Sequence, residues 1–256
     1  MALEFTVLGW VVLGFCALLV GIAKTSIGGL GVLAVAGFAL FIPARESTAA
    51  VLLVLIIGDL VAVALYRRSA DWAMLRALLP AVLPGIALGA VVMAFIDDRT
   101  MTALIAGVIL VALVIQVLLR RRPVPPAHSP TAPTEPHLLA TAGTGLAAGF
   151  TTMVANAAGP VMTLYLLAVR AQKMRFVGTM AWYFLIINLA KVPFSIGLGL
   201  MTTQTLWLTL VLAPAVLVGT WLGRRFLGWL PQRRFEQLAL GAALLAGLVL
   251  LVRALV

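Results

Sequence analysis

Apolar runs close to or beyond the length of a bilayer-crossing helix fill almost the whole chain: 5–41, 49–65, 73–95, 101–119, 138–169, 176–200, 206–223 and 235–252. A hydrocarbon core takes about 20 helical residues to cross, so these runs predict an all-α, polytopic integral membrane protein. A soluble fold is excluded, because only 10% of the 256 residues are charged, against about 25% in a water-soluble domain. The first run follows an acid, Glu4, and continues well past the length of a secretory leader, so it reads as a retained span. Cys16, the single cysteine, lies inside that run and reads as core filling.

The net charge of +10 could suggest nucleic acid, but its placement suggests topology. Suppose the two longest runs, 5–41 and 138–169, either return to the side they entered or cross twice. The loops at 66–76, 120–122, 170–175 and 224–234 then share one face and hold 13 basic residues, while the other face has Arg45, Arg99 and Arg253. A single crossing for each run gives at best nine against seven. The positive-inside rule selects the first arrangement, with a cytoplasmic linker and both termini on the outer side of the membrane. That linker, 120–137, contains six prolines and reads as extended and solvated. It separates a first membrane repeat, 1–119, from a second, 138–256. His128 and His137 lie in or beside it and read as solvated bystanders.

The two halves resemble each other. PAVLPGIALG at 80–89 matches PAVLVGTWLG at 214–223 at seven of ten positions; a slightly smaller offset pairs Gly21 with Gly149 and Gly31 with Gly159. Shared Pro and Gly spacing indicates internal duplication. With an odd number of crossings per half, the second repeat is inverted, an architecture of secondary transporters whose site lies between the repeats near the midplane. The expected fold is therefore two inverted repeats, each a broken or re-entrant segment plus three transmembrane helices.

The breaks are the chemically informative segments. Lys24, Thr25 and Ser26 precede Gly28, Gly29 and Gly31, and glycines so dense weaken a helix by about 1 kcal/mol each. In the second half Asn156, Ala157 and Gly159 lead to Pro160, which suits the first turn of a new helix. Both segments predict helix, break and a half-helix of about ten residues. Unwound backbone at membrane depth must line protein or water, and each half-helix would point an N-terminus, with about half a positive charge, into that cavity. Two such ends could cradle an anion; packing alone could also account for the small residues.

Three ionisable residues lie deep in the runs, where a charge costs at least about 2.5 kcal/mol on insertion scales: Lys24, Asp59 and Lys191. Lys191 shares a helix face with Asn188 and Ser195. Lys24 either snorkels at an interface or serves as a substrate-side cation. Asp59 either pairs with a lysine as counter-ion or carries a coupling proton. Gly85, Gly89, Gly219 and Gly223 could pack within or between protomers, which leaves a homo-oligomer open. No nucleotide motif, metal-ligand cluster or Ser/His/Asp arrangement is visible, so the chain reads as no enzyme and as needing no cofactor and no metal.

These segments, GIAKTSIGGLG at 21–31, YRRSADW at 66–72, PAVLPGIALG at 80–89, GFTTMVANAAGP at 149–160 and FVGTMAWYFLIINLAKVP at 176–193, together resemble the TauE/SafE family, the sulfite exporter and TSUP group of anion permeases. The resemblance implies secondary transport, usually export, of sulfite or a related sulfur-containing or organosulfonate anion. It implies a substrate region at Lys24 to Gly31 and Ala155 to Pro160, with Asn188 and Lys191. The second break lacks the glycine density of the first. The expected mechanism is alternating access, one repeat rocking against the other around a midplane anion held by the half-helix ends, Thr25, Ser26, Asn156, Asn188 and Lys191. An anion channel and a non-transporting membrane scaffold are the rival readings.

Overall fold

A computed structural model describes residues 5–25, 31–121, 138–168, 173–226, 248, 251 and 252. The linker from 122 onward, most of the run 235–252, and Ser26, Gly28 and Gly29 lie outside the described residues. In the first half the helices are α1 (Val7–Thr25), α2 (Gly31–Phe41), α3 (Ala44–Tyr66), α4 (Trp72–Phe95) and α5 (Asp98–Arg121). In the second they are α6 (Leu138–Ala155), α7 (Gly159–Ala168), α8 (Lys173–Gly197) and α9 (Thr203–Phe226). Among the described residues, six helices are long and apolar enough to cross a membrane. Large apolar side chains such as Val7, Phe15, Leu210 and Trp221 stand exposed on their outer faces, a surface suited to lipid.

The second long run breaks where expected, at 156–158 between α6 and α7, whereas residues 26–30, where the first break is expected, lie outside the described residues between α1 and α2. Elsewhere local chemistry sets the boundaries. Asp71 caps α4, its carboxylate accepting from the Met74 N–H at 3.1 Å. Gly199, at φ 68°, closes α8: its N–H donates to the Ile196 carbonyl and the Leu200 N–H to that of Ser195, a Schellman turn. α3 begins after Pro43, five residues before the apolar run at 49, so its first turn carries Arg45 and Glu46. Polar residues are natural there, at a helix end outside the hydrocarbon.

The fold is held across the two halves of the chain. α1 packs chiefly on α9, and α4 chiefly on α6, so each tight pair takes one helix from each half. The two crossings use matching residues. A Cβ on Gly21 would lie 2.1 Å from the Val216 carbonyl oxygen, and one on Gly149 would lie 2.1 Å from that of Val82. Gly219 is pressed in the same way against Leu18 and Gly21, and Gly85 against Leu146 and Gly149. Only residues without a side chain let two membrane helices approach so closely. Gly85, Gly89, Gly219 and Gly223 therefore pack within one chain, between its halves.

Direction follows from the same contacts. α1 and α9 run parallel toward the end that carries Arg67, Arg68, Arg224 and Arg225, where the Tyr66 hydroxyl donates to the Thr25 carbonyl at 3.1 Å. α4 and α6 run parallel away from that end. At the opposite end the Arg45 N–H donates to the Asp98 carboxylate at 3.1 Å. α3 and α8 pack on each other between the two pairs, α3 also on α9 and α8 on α4.

Candidate functional site

The core between α3 and α8 contains a continuous polar chain. Lys24, in the last turn of α1, meets the Asp59 carboxylate of α3 at 2.6 Å. The Asn188 amide of α8 donates to the other oxygen of Asp59, also at 2.6 Å. The Lys191 ammonium, one turn on, donates to the Asn188 Oδ1 at 3.1 Å, to the Thr152 hydroxyl at 3.2 Å and to the Asn156 Oδ1. Asn156 in turn donates from its Nδ2 to the Thr48 carbonyl at 3.0 Å. Asp59 is 0% exposed and Lys191 1%.

Each member is placed by its element. Asn188 and Lys191 are three residues apart on α8 and share a face. Thr152 occupies the last full turn of α6 before the break. Asn156, in the break itself, has φ 49°, a left-handed conformation that asparagine tolerates better than most residues. The turn lets one side chain bridge Lys191 and α3. Gly31 and Gly159, the first residues of α2 and α7, are open: a Cβ on either would meet no described atom within 4 Å.

Charge is unevenly met along this chain. Lys24 has Asp59 and, beneath its Nζ, the Phe184 ring at 4.2 Å. Lys191 has three neutral oxygens and, among the described residues, no carboxylate of its own. Among the described residues two buried lysines stand against one buried carboxylate, in a region where unpaired charge is costly. All three Lys191 N–H groups are engaged, so an incoming anion must displace one of those oxygens.

A cleft of about 40 Å³ opens beside Lys24 and Asp59, walled by Phe176, Val177, Met180, Ala181 and Phe184 of α8 and by Ala23. By the same measure a single water needs about 10–15 Å³, so the cleft has room for a few waters. It lies toward the basic end, since the adjoining α8 residue Thr179 accepts from the Asp71 N–H just beyond Arg67 and Arg68. Lys24 thus neither snorkels nor stands alone; it is the wall of a small cleft.

The structure brings Lys24, Asp59, Asn188, Lys191 and Asn156 into one hydrogen-bonded chain. It sends Thr25 elsewhere: that hydroxyl donates to the Gly21 and Thr220 carbonyls, both at 3.1 Å, tying α1 to α9. Ala157 is buried beside the break. The residues flanking the two breaks meet α3 at different levels. Lys24 meets α3 at Asp59 and Asn156 meets it at Thr48, eleven residues apart, which is about 16 Å along a helix. Thr152 and Thr48 were missed by sequence reasoning. Thr152 carried a signal: it stands 128 residues after Lys24 (152 − 24), the offset that pairs Gly21 with Gly149.

Among the described residues no cluster of His, Cys, Asp and Glu could hold a metal ion. The family model described as "Sulfite exporter TauE/SafE" matches residues 13–250. No curated protein and no solved structure matches the chain. A match over nearly its whole length, joined to a multi-pass helical fold with a buried cationic core, identifies the chain as a member of the TauE/SafE family of membrane transporters.

Proposed function

We propose that the chain is a secondary transporter exporting sulfite, or a related small sulfur-containing or organosulfonate anion, across a bacterial inner membrane. The observation that carries this reading is Lys191: a buried ammonium whose partners are all neutral oxygens. An oxyanion replacing one of them would neutralise it. Asn156, Asn188 and Thr152 would supply the remaining polar contacts, with the open N-termini at Gly31 and Gly159 adding dipole from the half-helices. Lys24 would receive the anion in the cleft, and Asp59 would hold Lys24 in place or carry a coupled proton.

The opposed directions of the α1/α9 and α4/α6 pairs favour inverted repeats, with the basic end cytoplasmic. Because each pair is mixed, the bodies that rock are not the sequence halves. They are the two glycine-locked pairs, moving against the α3/α8 centre. Export of an anion from a negative-inside cell gains about 2.3 kcal/mol per charge per 100 mV, so no further coupling is required.

The test is sulfite flux and counterflow in proteoliposomes containing wild type or Lys191→Ala. Saturable flux with counterflow is expected for wild type. Removing the cation should lower flux at least about 100-fold, in line with the loss of a charged contact that the anion needs. Undiminished flux in the variant would sink the proposal, and flux without counterflow would make the protein a channel.

A further inference from the structure

The polar chain does not stop at Asn156. One turn before Thr48, at the end of α3 opposite the cleft, stands Arg45. Its carbonyl accepts from the Thr48 hydroxyl at 2.7 Å, so it is tied to the residue on which the chain ends. Its Nε is buried without a hydrogen-bond partner among the described residues. Neighbouring Asp98 takes the Arg45 backbone N–H and forms no ion pair with the guanidinium among the described residues. Arginine is the side chain best shaped to grip an oxyanion through two parallel N–H groups. The half-buried Arg45 guanidinium thus has at least one donor, Nε, unpaired among the described residues, at the end of an internal polar chain.

We infer that Arg45 is an anion-binding residue at the far mouth of the pathway, so that Lys24, Lys191 and Arg45 form three successive cationic stations along α3. This rests on the anion-transport reading above. The spacing suits it: about 16 Å separates Asp59 from Thr48 along the helix, and Arg45 adds about 4–5 Å. Each station offers a positive group with polar neighbours, and the anion passes from one to the next as α1/α9 and α4/α6 move. The station at Arg45 completes a route that the cleft begins at the other end.

The experiment measures sulfite flux in membrane vesicles of both orientations, with wild type, Arg45→Gln and Arg45→Lys. Arg45→Gln should raise the half-saturating sulfite concentration about tenfold when sulfite is presented from the Arg45 end, and by less than about twofold from the cleft end. Arg45→Lys should recover most of the loss. A merely structural role would change both sides alike, and that outcome, or no change on either side, overturns the inference. Failure of the wild type to move sulfite from either side would instead defeat the transport reading beneath it.

A second variant guards against misfolding. Cys16, the only cysteine, is buried, so Arg45→Cys can be modified after the protein has folded. A cationic methanethiosulfonate should restore flux from that side, and an anionic one should suppress it. Equal effects of the two reagents would count against a cationic station.

Discussion

The helix crossings and the polar centre both draw on the two halves of the chain, yet the halves match at one and differ at the other. At the crossings the copies agree contact for contact: Gly21 on Val216 and Gly219 mirrors Gly149 on Val82 and Gly85. At the centre they diverge. Lys24 in one half stands where Thr152 stands in the other, and Asp59 and Asn188 each lie fifteen residues into the third helix of their half, α3 from Ala44 and α8 from Lys173. Backbone contact at the crossings leaves no room for change. The centre is free to differ, and its asymmetry is what leaves a cation unmatched.

The most severe way to break this comparison is Asp59→Asn, which strands Lys24 without its carboxylate. Losing one partner of a buried ion pair costs about 3–5 kcal/mol, and thermal unfolding in detergent should show it. Adding Asn188→Asp sharpens the point. The carboxylate would then sit beside Lys191, and the double variant should recover stability in part while losing sulfite flux, because the anion's place is taken. Full flux in a folded double variant would mean that the surplus charge at Lys191 has no part in transport.

Next come the crossings. Gly21→Ala and Gly149→Ala each force a methyl group into a backbone carbonyl, and each should destabilise by about 1–3 kcal/mol. The comparison predicts matched losses in the two variants; a large difference between their melting temperatures would show that only one crossing bears on stability. Smallest is Thr152→Ala, which removes one of three Lys191 acceptors. A hydrogen bond to a charged group contributes about 1.5–3 kcal/mol, less here because the Asn156 and Asn188 oxygens stay, so a several-fold fall in flux without unfolding is expected.

Much of this architecture was legible in the chain. Glycine and proline are rare enough against a background of Leu, Val and Ala that their spacing marks the residues of the two helix crossings, and the break at 156–158 appears where small and polar residues interrupt a long apolar run. Lys24, Asp59 and Lys191 stood out because charge at such depth is costly. Partner choice was not legible. Which oxygen faces which lysine depends on how α6 and α8 lie against α3, and nothing local to Thr152 or Thr48 encodes that. Thr25 shows the converse: a hydroxyl beside a break, plausible as a ligand, is spent on the Gly21 and Thr220 carbonyls because α9 passes directly behind it.

The mixed pairing of helices also bears on how the protein is made. α1 leaves the ribosome well before α9, the helix its glycine face fits; α4 likewise waits for α6. Neither half can complete its own packing as it is inserted, and each presents a small-residue groove to lipid until the other arrives. The proline linker between them sets how far the later helices may range while they search. Cutting it should still permit assembly of two co-expressed fragments, whereas either fragment alone would remain an unfinished bundle, exposed to quality control.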